Sequence, residues 1–336
     1  MRALARPTAD PAALALRALL ASGRAVPEPL REAVAARARE GEVVLLALAA
    51  DPTLAPWLTQ PARRQELIDA TLEQALGLAA EAFTRTPPGP VALLKGSATA
   101  RTLYARTALR FRRDVDLLAA DVPAARAALL GGPFADHVDA NRAAAGPSRV
   151  RSWPMAMPTP FGQVEVDLHA ALIETGWCRP DPAAILAEAV AMAPLPVTSP
   201  RDTVVHTAIH LAENGFRQPL KAWLDLHLLA PTVDPRALAE RARVFGARGA
   251  VFAALHVTAR WFGTPLDAHL EALGVGRAQR AAIAWALSGD GAHPHRRLVE
   301  RGRARHLARL LVADSLAARA AYLRTRLGLR SAEAPP

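Results

Sequence analysis

Cysteine is almost absent from this 336-residue chain. Cys178 is the only one, which excludes an intramolecular disulfide and a cysteine-based zinc cluster. Aromatic residues make up only 5%, which argues against a β-sandwich and against a base-stacking surface. No stretch approaches the roughly 20 apolar residues of a membrane-spanning helix, and Arg17 interrupts the N-terminal apolar run, which is poor for a signal peptide. We therefore expect a cytoplasmic protein without a membrane partner.

Lysine is also scarce. The chain has two lysines, Lys95 and Lys221, and arginine supplies the remaining positive charge. Lys and Arg together number 41 against 31 Asp and Glu, a net charge of +10. The arginines are spread along the chain and form no recognisable basic strip with interleaved aromatics, so a nucleic-acid partner is not expected. The positive field still favours anionic substrates such as nucleotides.

The hydrophobic pattern changes twice along the chain and indicates an α+β protein. Apolar residues recur at helical spacing before residue 87 and after residue 175, whereas short apolar runs lie between them. We expect N-terminal helices over 1–86, a core with a small mixed β-sheet over 87–175, a C-terminal helical domain over 176–330 and a disordered tail over 331–336. The predicted strands are 91–94, 115–118 and 163–168, and the predicted C-terminal helices include 220–229, 235–245, 250–262, 277–286 and 303–327.

The segment around the second predicted strand carries the strongest chemical signal. Residues two apart on a strand point the same way, so Asp114 and Asp116 project from one face. Two carboxylates held that close repel each other unless a cation lies between them. Mg²⁺ prefers such hard oxygen ligands and usually adds substrate phosphates to its shell. A solvent-facing strand edge is the alternative interpretation of this pair.

Two neighbouring segments favour the metal interpretation. Lys95, Gly96 and Ser97 lie between a predicted strand and a predicted helix, where a phosphate can approach the glycine backbone and the helix N-terminus. The order of these residues is not that of a P-loop. Asp167 lies in an otherwise apolar strand, where an isolated carboxylate is costly, so it is a candidate third ligand. Glu165 shares its face and is a weaker candidate.

Together these blocks resemble the nucleotidyltransferase superfamily of the polymerase-β type, and most closely a bacterial family of uncharacterised nucleotidyltransferases. The resemblance covers about residues 91–262. Its matching blocks are Leu-Leu-Lys-Gly at 93–96, Leu-Tyr at 103–104, Arg110 four residues before the first aspartate, Asp-Val-Asp-Leu-Leu at 114–118, Val-Asp-Leu-His at 166–169, a Ser-Pro helix start at 199 and Trp-Leu-Asp-Leu at 223–226. The chain departs from the family pattern at residues 98 and 99, where an apolar pair is more usual. This difference affects packing and not the proposed chemistry.

The resemblance implies transfer of a nucleoside monophosphate by a two-metal mechanism with Mg²⁺ or Mn²⁺. Asp114, Asp116 and Asp167 would be the catalytic metal ligands, and Asp167 would also serve as base. The nucleotide-binding residues would be Lys95, Gly96, Ser97 and Arg110. The donor would be a nucleoside triphosphate, with ATP favoured, and the acceptor a hydroxyl of an unidentified small molecule, peptide or protein. The alternative is a non-catalytic nucleotide- or partner-binding protein that keeps the fold.

Two further pairs remain open. His206 and His210 are one helical turn apart, which suits a metal, but no third ligand is evident and a structural role is favoured. Lys221 and Asp225 have the spacing of a simple helical ion pair, although the resemblance also allows a place beside the nucleotide.

Overall fold

The computed structural model describes residues 10–137, 152–160, 162–173, 176–289, 294 and 301–326. The contacts within the chain divide it into two compact units. One comprises residues 18–172 and 181–203, and the other comprises 1–17, 173–180 and 204–336. The domain boundaries expected from the sequence remain a proposal, and the expected disordered tail lies outside the described residues.

The first unit combines helices with one mixed sheet, as the sequence predicts. Its elements in chain order are α1 (Pro11–Ser22, which begins in the other unit), α2 (Arg31–Glu40), α3 (Val44–Ala50), α4 (Ala55–Arg85), β1 (Val91–Leu93), α5 (Lys95–Leu103), β2 (Asp114–Ala119), α6 (Val122–Leu130), β3 (Ala135–Asp136), β4 (Ser152–Thr159), β5 (Gly162–His169) and α7 (Pro182–Ala187). The three predicted strands are confirmed. The two strands β3 and β4 lie in a stretch for which the sequence shows no clear pattern.

The sheet has the order β1-β2-β5-β4-β3. The pair β2 and β5 is parallel, and the other neighbours are antiparallel. Strand alternation gives this sheet one apolar face, because Val115 and Leu117 of β2 and Val166 and Leu168 of β5 are buried in the same core as α4 and α6. The intervening side chains of both strands therefore point to the opposite face, where the acidic residues lie.

The second unit is helical. Its elements are α8 (Pro200–Glu213, which begins in the first unit), α9 (Leu220–Leu229), α10 (Pro235–Val244), α11 (Arg248–Phe262), α12 (Asp267–Ala272), α13 (Arg277–Ala286), α14 (Arg301–Val312) and α15 (Leu316–Arg326). Helix α11 is the centre of this unit, because α9, α10, α12, α13 and α14 all contact it. No helix among the described residues has the length and apolarity needed to cross a membrane.

The last predicted helix is in fact two helices, α14 and α15, separated by a short break. Within that break the Asp314 carboxylate accepts hydrogen bonds from the backbone N–H groups of Arg248 (3.0 Å) and Gly249 (2.8 Å) at the start of α11. The Ser315 hydroxyl accepts a hydrogen bond from the N–H of Ala318 and so begins α15. The break therefore satisfies one helix end and starts another, a role that helical periodicity alone does not reveal.

Candidate metal and nucleotide site

The parallel pairing of β2 and β5 brings two aspartates together. In the register of this pair Asp116 lies directly opposite Asp167, and Asp114 lies opposite Glu165. Neighbouring strands are about 4.8 Å apart, so the carboxylates of Asp116 and Asp167 lie side by side on the polar face. The sequence predicts both residues as metal ligands, and the structure places them together.

A histidine and a lysine complete this cluster. His169, two residues after Asp167 and on the same face of β5, directs its Nε2 to the Oδ1 atom of Asp116 at 2.7 Å. The same nitrogen is 3.6 Å from Oδ2 of Asp167. Lys95 Nζ donates a hydrogen bond to Asp116 Oδ1 at 2.5 Å. Asp116 is buried, with its side chain only 6% exposed, so its contacts with Lys95 and His169 supply the partners that water would otherwise provide.

The charges in the cluster shift the pKa values of its members. Burial by itself raises the pKa of Asp116, but the charges of Lys95 and His169 and their hydrogen bonds outweigh it and hold that pKa far below the usual value. Burial likewise opposes the charged form of Lys95, yet Asp116, supported by Asp114 and Asp167, raises the pKa of Lys95 above its usual value. At neutral pH Asp116 is therefore a carboxylate and Lys95 an ammonium ion.

Backbone geometry aims Lys95 at the cluster. The N–H of Leu94 donates to the carbonyl of Asp116 at 3.0 Å, which ties the end of β1 to the middle of β2. Lys95 then has a φ of 47°, a left-handed conformation that costs a residue other than glycine about 1–3 kcal/mol. The chain turns sharply there, and α5 begins immediately beside Asp116.

The N-terminus of α5 carries the predicted phosphate-binding residues. No side chain caps this helix end at Leu94, so its first N–H groups are suited to an anion. Ser97, in the first turn, is 1% exposed, and its hydroxyl has no hydrogen-bond partner among the residues that the structure describes. A buried hydroxyl without a partner is costly, and a bound phosphate oxygen would satisfy it.

Gly96 allows two arginines to approach this helix. A Cβ atom at residue 96 would lie 3.3 Å from Cγ of Arg112 and 3.7 Å from Nη1 of Arg110. Arg110 is buried, and its Nη1 donates to the carbonyl of Phe111 at 2.6 Å. The structure therefore places Arg110 beside the glycine with which the sequence associates it.

An ion-pair network holds Arg112 in place. Its guanidinium, 1% exposed, contacts the carboxylates of Asp69 and Glu73 from α4. Glu73 also pairs with Arg101 of α5, and Asp69 accepts a hydrogen bond from the Thr107 hydroxyl at 2.7 Å. The network joins α4 to α5 and to the segment that leads into β2. It therefore supports both sides of the candidate site, and the sequence does not signal it because its members are distant along the chain.

The positions of Asp114 and His169 differ from the set of metal ligands that the sequence predicts. Among the described residues, Asp116, Asp167 and His169 form the group of three metal-ligating side chains, whose ligand atoms lie within 4.8 Å of one another. Asp114 lies at the exposed start of β2 and outside that group, so its role as a ligand stays a prediction. His169 is not among the site residues that the sequence predicts. Its position two residues after Asp167, on the same face of a strand, is the signal that was available.

The other open pairs lie in α8 and α9. Neither His206 nor His210 belongs to a group of three metal-ligand side chains among the described residues. His206 is buried, and His210 Nε2 lies 3.1 Å from Nε2 of Gln218. Asp225 is also buried. A place for Lys221 and Asp225 beside the nucleotide stays a prediction.

This α+β fold places two paired aspartates on neighbouring parallel strands beside the N-terminus of a helix, an arrangement that could hold a metal ion next to a phosphate. A family model described as "Uncharacterised nucleotidyltransferase" matches residues 49–263, and the chain belongs to that family. The resemblance drawn from the short sequence blocks is thereby confirmed at the family level. No curated protein and no solved structure matches the chain. Membership supports nucleotidyl transfer as the general activity.

Proposed function

We propose that this protein transfers a nucleoside monophosphate from a nucleoside triphosphate, with ATP favoured, to a hydroxyl of a small molecule, peptide or protein. The observation that carries the proposal is the lateral pairing of Asp116 with Asp167 beside the uncapped N-terminus of α5. Family membership supports the reaction type. The acceptor class and the nucleotide preference are part of the proposal.

The cluster has the composition that a divalent cation requires. Asp114, Asp116 and Asp167 all act electrostatically on the single ammonium of Lys95, so negative charge is in excess. Carboxylate oxygens suit both Mg²⁺ and Mn²⁺. The imidazole nitrogen of His169 is a better ligand for Mn²⁺ than for Mg²⁺. Asp116, Asp167 and His169 would hold the ion, with Asp114 as a further ligand. Such an ion neutralises phosphate charge and lowers the pKa of a coordinated hydroxyl.

The first residues of α5, together with Arg110, would bind the triphosphate. The first N–H groups of α5, that of Gly96 among them, would donate to phosphate oxygens, and the helix dipole favours the negative charge. The Ser97 hydroxyl would gain a partner. The Arg110 guanidinium beside Gly96 adds a permanent positive charge. These contacts would hold the triphosphate beside the carboxylates.

The transfer is a single in-line displacement. The acceptor oxygen forms a bond to the α-phosphorus, the bond from that phosphorus to the bridging oxygen of the β-phosphate breaks, and pyrophosphate leaves with the bonding electron pair. The acceptor proton passes to a carboxylate oxygen of Asp167, in the role of general base, and then to solvent.

A non-catalytic role is the second candidate, and one observation favours it. Lys95 and His169 both contact Oδ1 of Asp116, so this buried carboxylate is charge-balanced without an ion. A protein that retained the fold for binding a nucleotide or a partner would be stable with this arrangement. In the catalytic alternative, Asp116 and His169 would hold a cation in addition to their contacts with each other and with Lys95.

Thermal unfolding with ATP, GTP, CTP or UTP, each with Mg²⁺ or Mn²⁺, tests the proposal. A triphosphate at about 100 times its dissociation constant stabilises the folded state by about 2.7 kcal/mol. The double variant Asp116→Asn/Asp167→Asn should lose this response and the release of pyrophosphate. Glu81→Gln, an exposed carboxylate of α4, is the matched control and should behave as wild type. A folded wild type that responds to no triphosphate at millimolar concentration refutes the proposal.

A further inference from the structure

A cavity of about 790 Å³ lies among the N-terminal helices and the segment before β2. Its volume is within the range of small-molecule sites. Arg39 of α2, Arg64 of α4 and Arg113 line it, against the single carboxylate of Glu42. None of the residues assigned above to the metal or the triphosphate lines it. The cavity is therefore a separate, positively charged compartment within the same unit.

A proline inside α4 holds one of these arginines. Pro61 has no N–H, so the carbonyl of Trp57, four residues earlier, lacks its helical partner. Arg39 Nη1 donates to that carbonyl at 3.3 Å. The interrupted helix therefore offers the guanidinium of Arg39 a hydrogen-bond acceptor at the wall of the cavity.

The other two arginines differ in their pairing. Arg113 forms an ion pair with Glu42, whose φ of 56° is unusual for a residue other than glycine. Arg64 is exposed, and no hydrogen bond or ion pair joins it to another described residue. Since Glu42 balances Arg113, the positive charges of Arg39 and Arg64 remain for a ligand.

The remaining wall is partly apolar. Val44, Ile68 and Phe111 line it, and Arg113 lies over the Phe111 ring at 5.7 Å from its centroid. A ligand that fits this lining has an apolar or aromatic body and an anionic end. A bare phosphate ion would leave the apolar wall unused.

The cavity also adjoins the start of β2, because Arg113 at its wall immediately precedes Asp114. The Cα atoms of Arg113 and Asp116 are at most roughly 10 Å apart along the strand. We propose that this cavity binds the acceptor, a small molecule or chain end with an apolar body, a carboxylate or phosphate at one end and the reacting hydroxyl at the other. This inference rests on the proposed nucleotidyl transfer and names the class of its second substrate.

The test uses 3-(4-hydroxyphenyl)propanoate as probe, because it joins a carboxylate, an aromatic ring and a hydroxyl. Its neutral amide is the chemical control. Binding to the full chain is measured by titration calorimetry without nucleotide or metal. Arg64→Gln should weaken probe binding about tenfold, the loss expected for one charge-assisted hydrogen bond. Arg63→Gln removes the same charge from the adjacent exposed position of α4, outside the cavity lining, and should bind as wild type.

Four outcomes overturn the inference. They are the absence of saturable binding, equal binding of the amide, equal effects of the two arginine variants, and displacement of the probe by ATP with Mg²⁺, which would make the cavity a nucleotide site. Retained probe binding in the presence of ATP, together with dependence on Arg64, supports it. If the probe binds but no triphosphate stabilises the protein in the separate unfolding experiment, the proposed function has failed and the acceptor role fails with it. If triphosphates bind and the probe does not, the acceptor inference fails alone.

Discussion

Replacement of Lys95 by methionine tests the electrostatic reasoning at the site. The ammonium of Lys95 balances the buried carboxylate of Asp116, and the two side chains are 26% and 6% exposed. Removal of one partner from a fully buried pair costs about 3–5 kcal/mol. Because Lys95 keeps a quarter of its exposure and His169 still contacts Asp116, we expect Lys95→Met to lower the free energy of unfolding by about 2–3 kcal/mol.

A divalent cation should restore most of this loss. At about 100 times its dissociation constant, Mg²⁺ that binds only the folded state contributes about 2.7 kcal/mol. Its gain should be larger in Lys95→Met than in wild type, where the ammonium repels the ion. Urea unfolding with and without Mg²⁺, followed by circular dichroism, measures both quantities.

An exposed arginine of α4 provides the charge control. Arg63→Met removes one positive charge from a position that has no part in the proposed sites and should respond to Mg²⁺ as wild type does. If Lys95→Met is as stable as wild type without metal, Asp116 does not depend on Lys95 and the reasoning is refuted. If Mg²⁺ stabilises Lys95→Met and wild type by the same free energy, the ammonium of Lys95 and the ion do not compete.

Three further predictions concern packing, ion pairs and pH. Arg112→Met removes the buried partner of two carboxylates and should lower the free energy of unfolding by about 3–5 kcal/mol in chemical denaturation. Arg106→Met removes one partner of an exposed pair and should lower it by at most about 1 kcal/mol. Similar losses in the two variants would contradict this reasoning. Gly96→Ala forces a Cβ against the Arg112 side chain at 3.3 Å and should destabilise the protein by about 1 kcal/mol in thermal unfolding. Gly77→Ala in α4 adds a Cβ with nothing within 4 Å and should stabilise the protein by about 0.5–1 kcal/mol. A stabilising effect of Gly96→Ala would be inconsistent with the close contact. Burial lowers the pKa of His227, so its contribution to stability is complete above about pH 6.5 and is lost as the pH falls through the lower folded-state pKa. His227→Gln should flatten this fall in unfolding experiments, and identical pH profiles would exclude the effect.

Local pattern predicted the elements well where one periodicity dominates. The helix over 220–229 and the strand around Asp116 were predicted correctly from apolar spacing. The Ser199 helix start is confirmed, since its hydroxyl accepts from the N–H of Asp202 at 3.2 Å. Helical periodicity does not predict the break around Asp314, because its cause is a contact with α11, 65 residues away along the chain.

The sequence by itself determined which side chains share a face and where helices can begin. Strand alternation puts Asp114 with Asp116 and Asp167 with His169, and the order of Lys95, Gly96 and Ser97 sets a turn before a helix, because both features depend on neighbours in the chain. Only the tertiary structure decided that β2 and β5 pair in the register that joins these faces. It also decided that Lys95 and His169, 21 and 53 residues from Asp116, both contact its carboxylate. Such pairings are set by burial of the apolar face against α4 and α6, an interaction among distant segments that no local pattern contains.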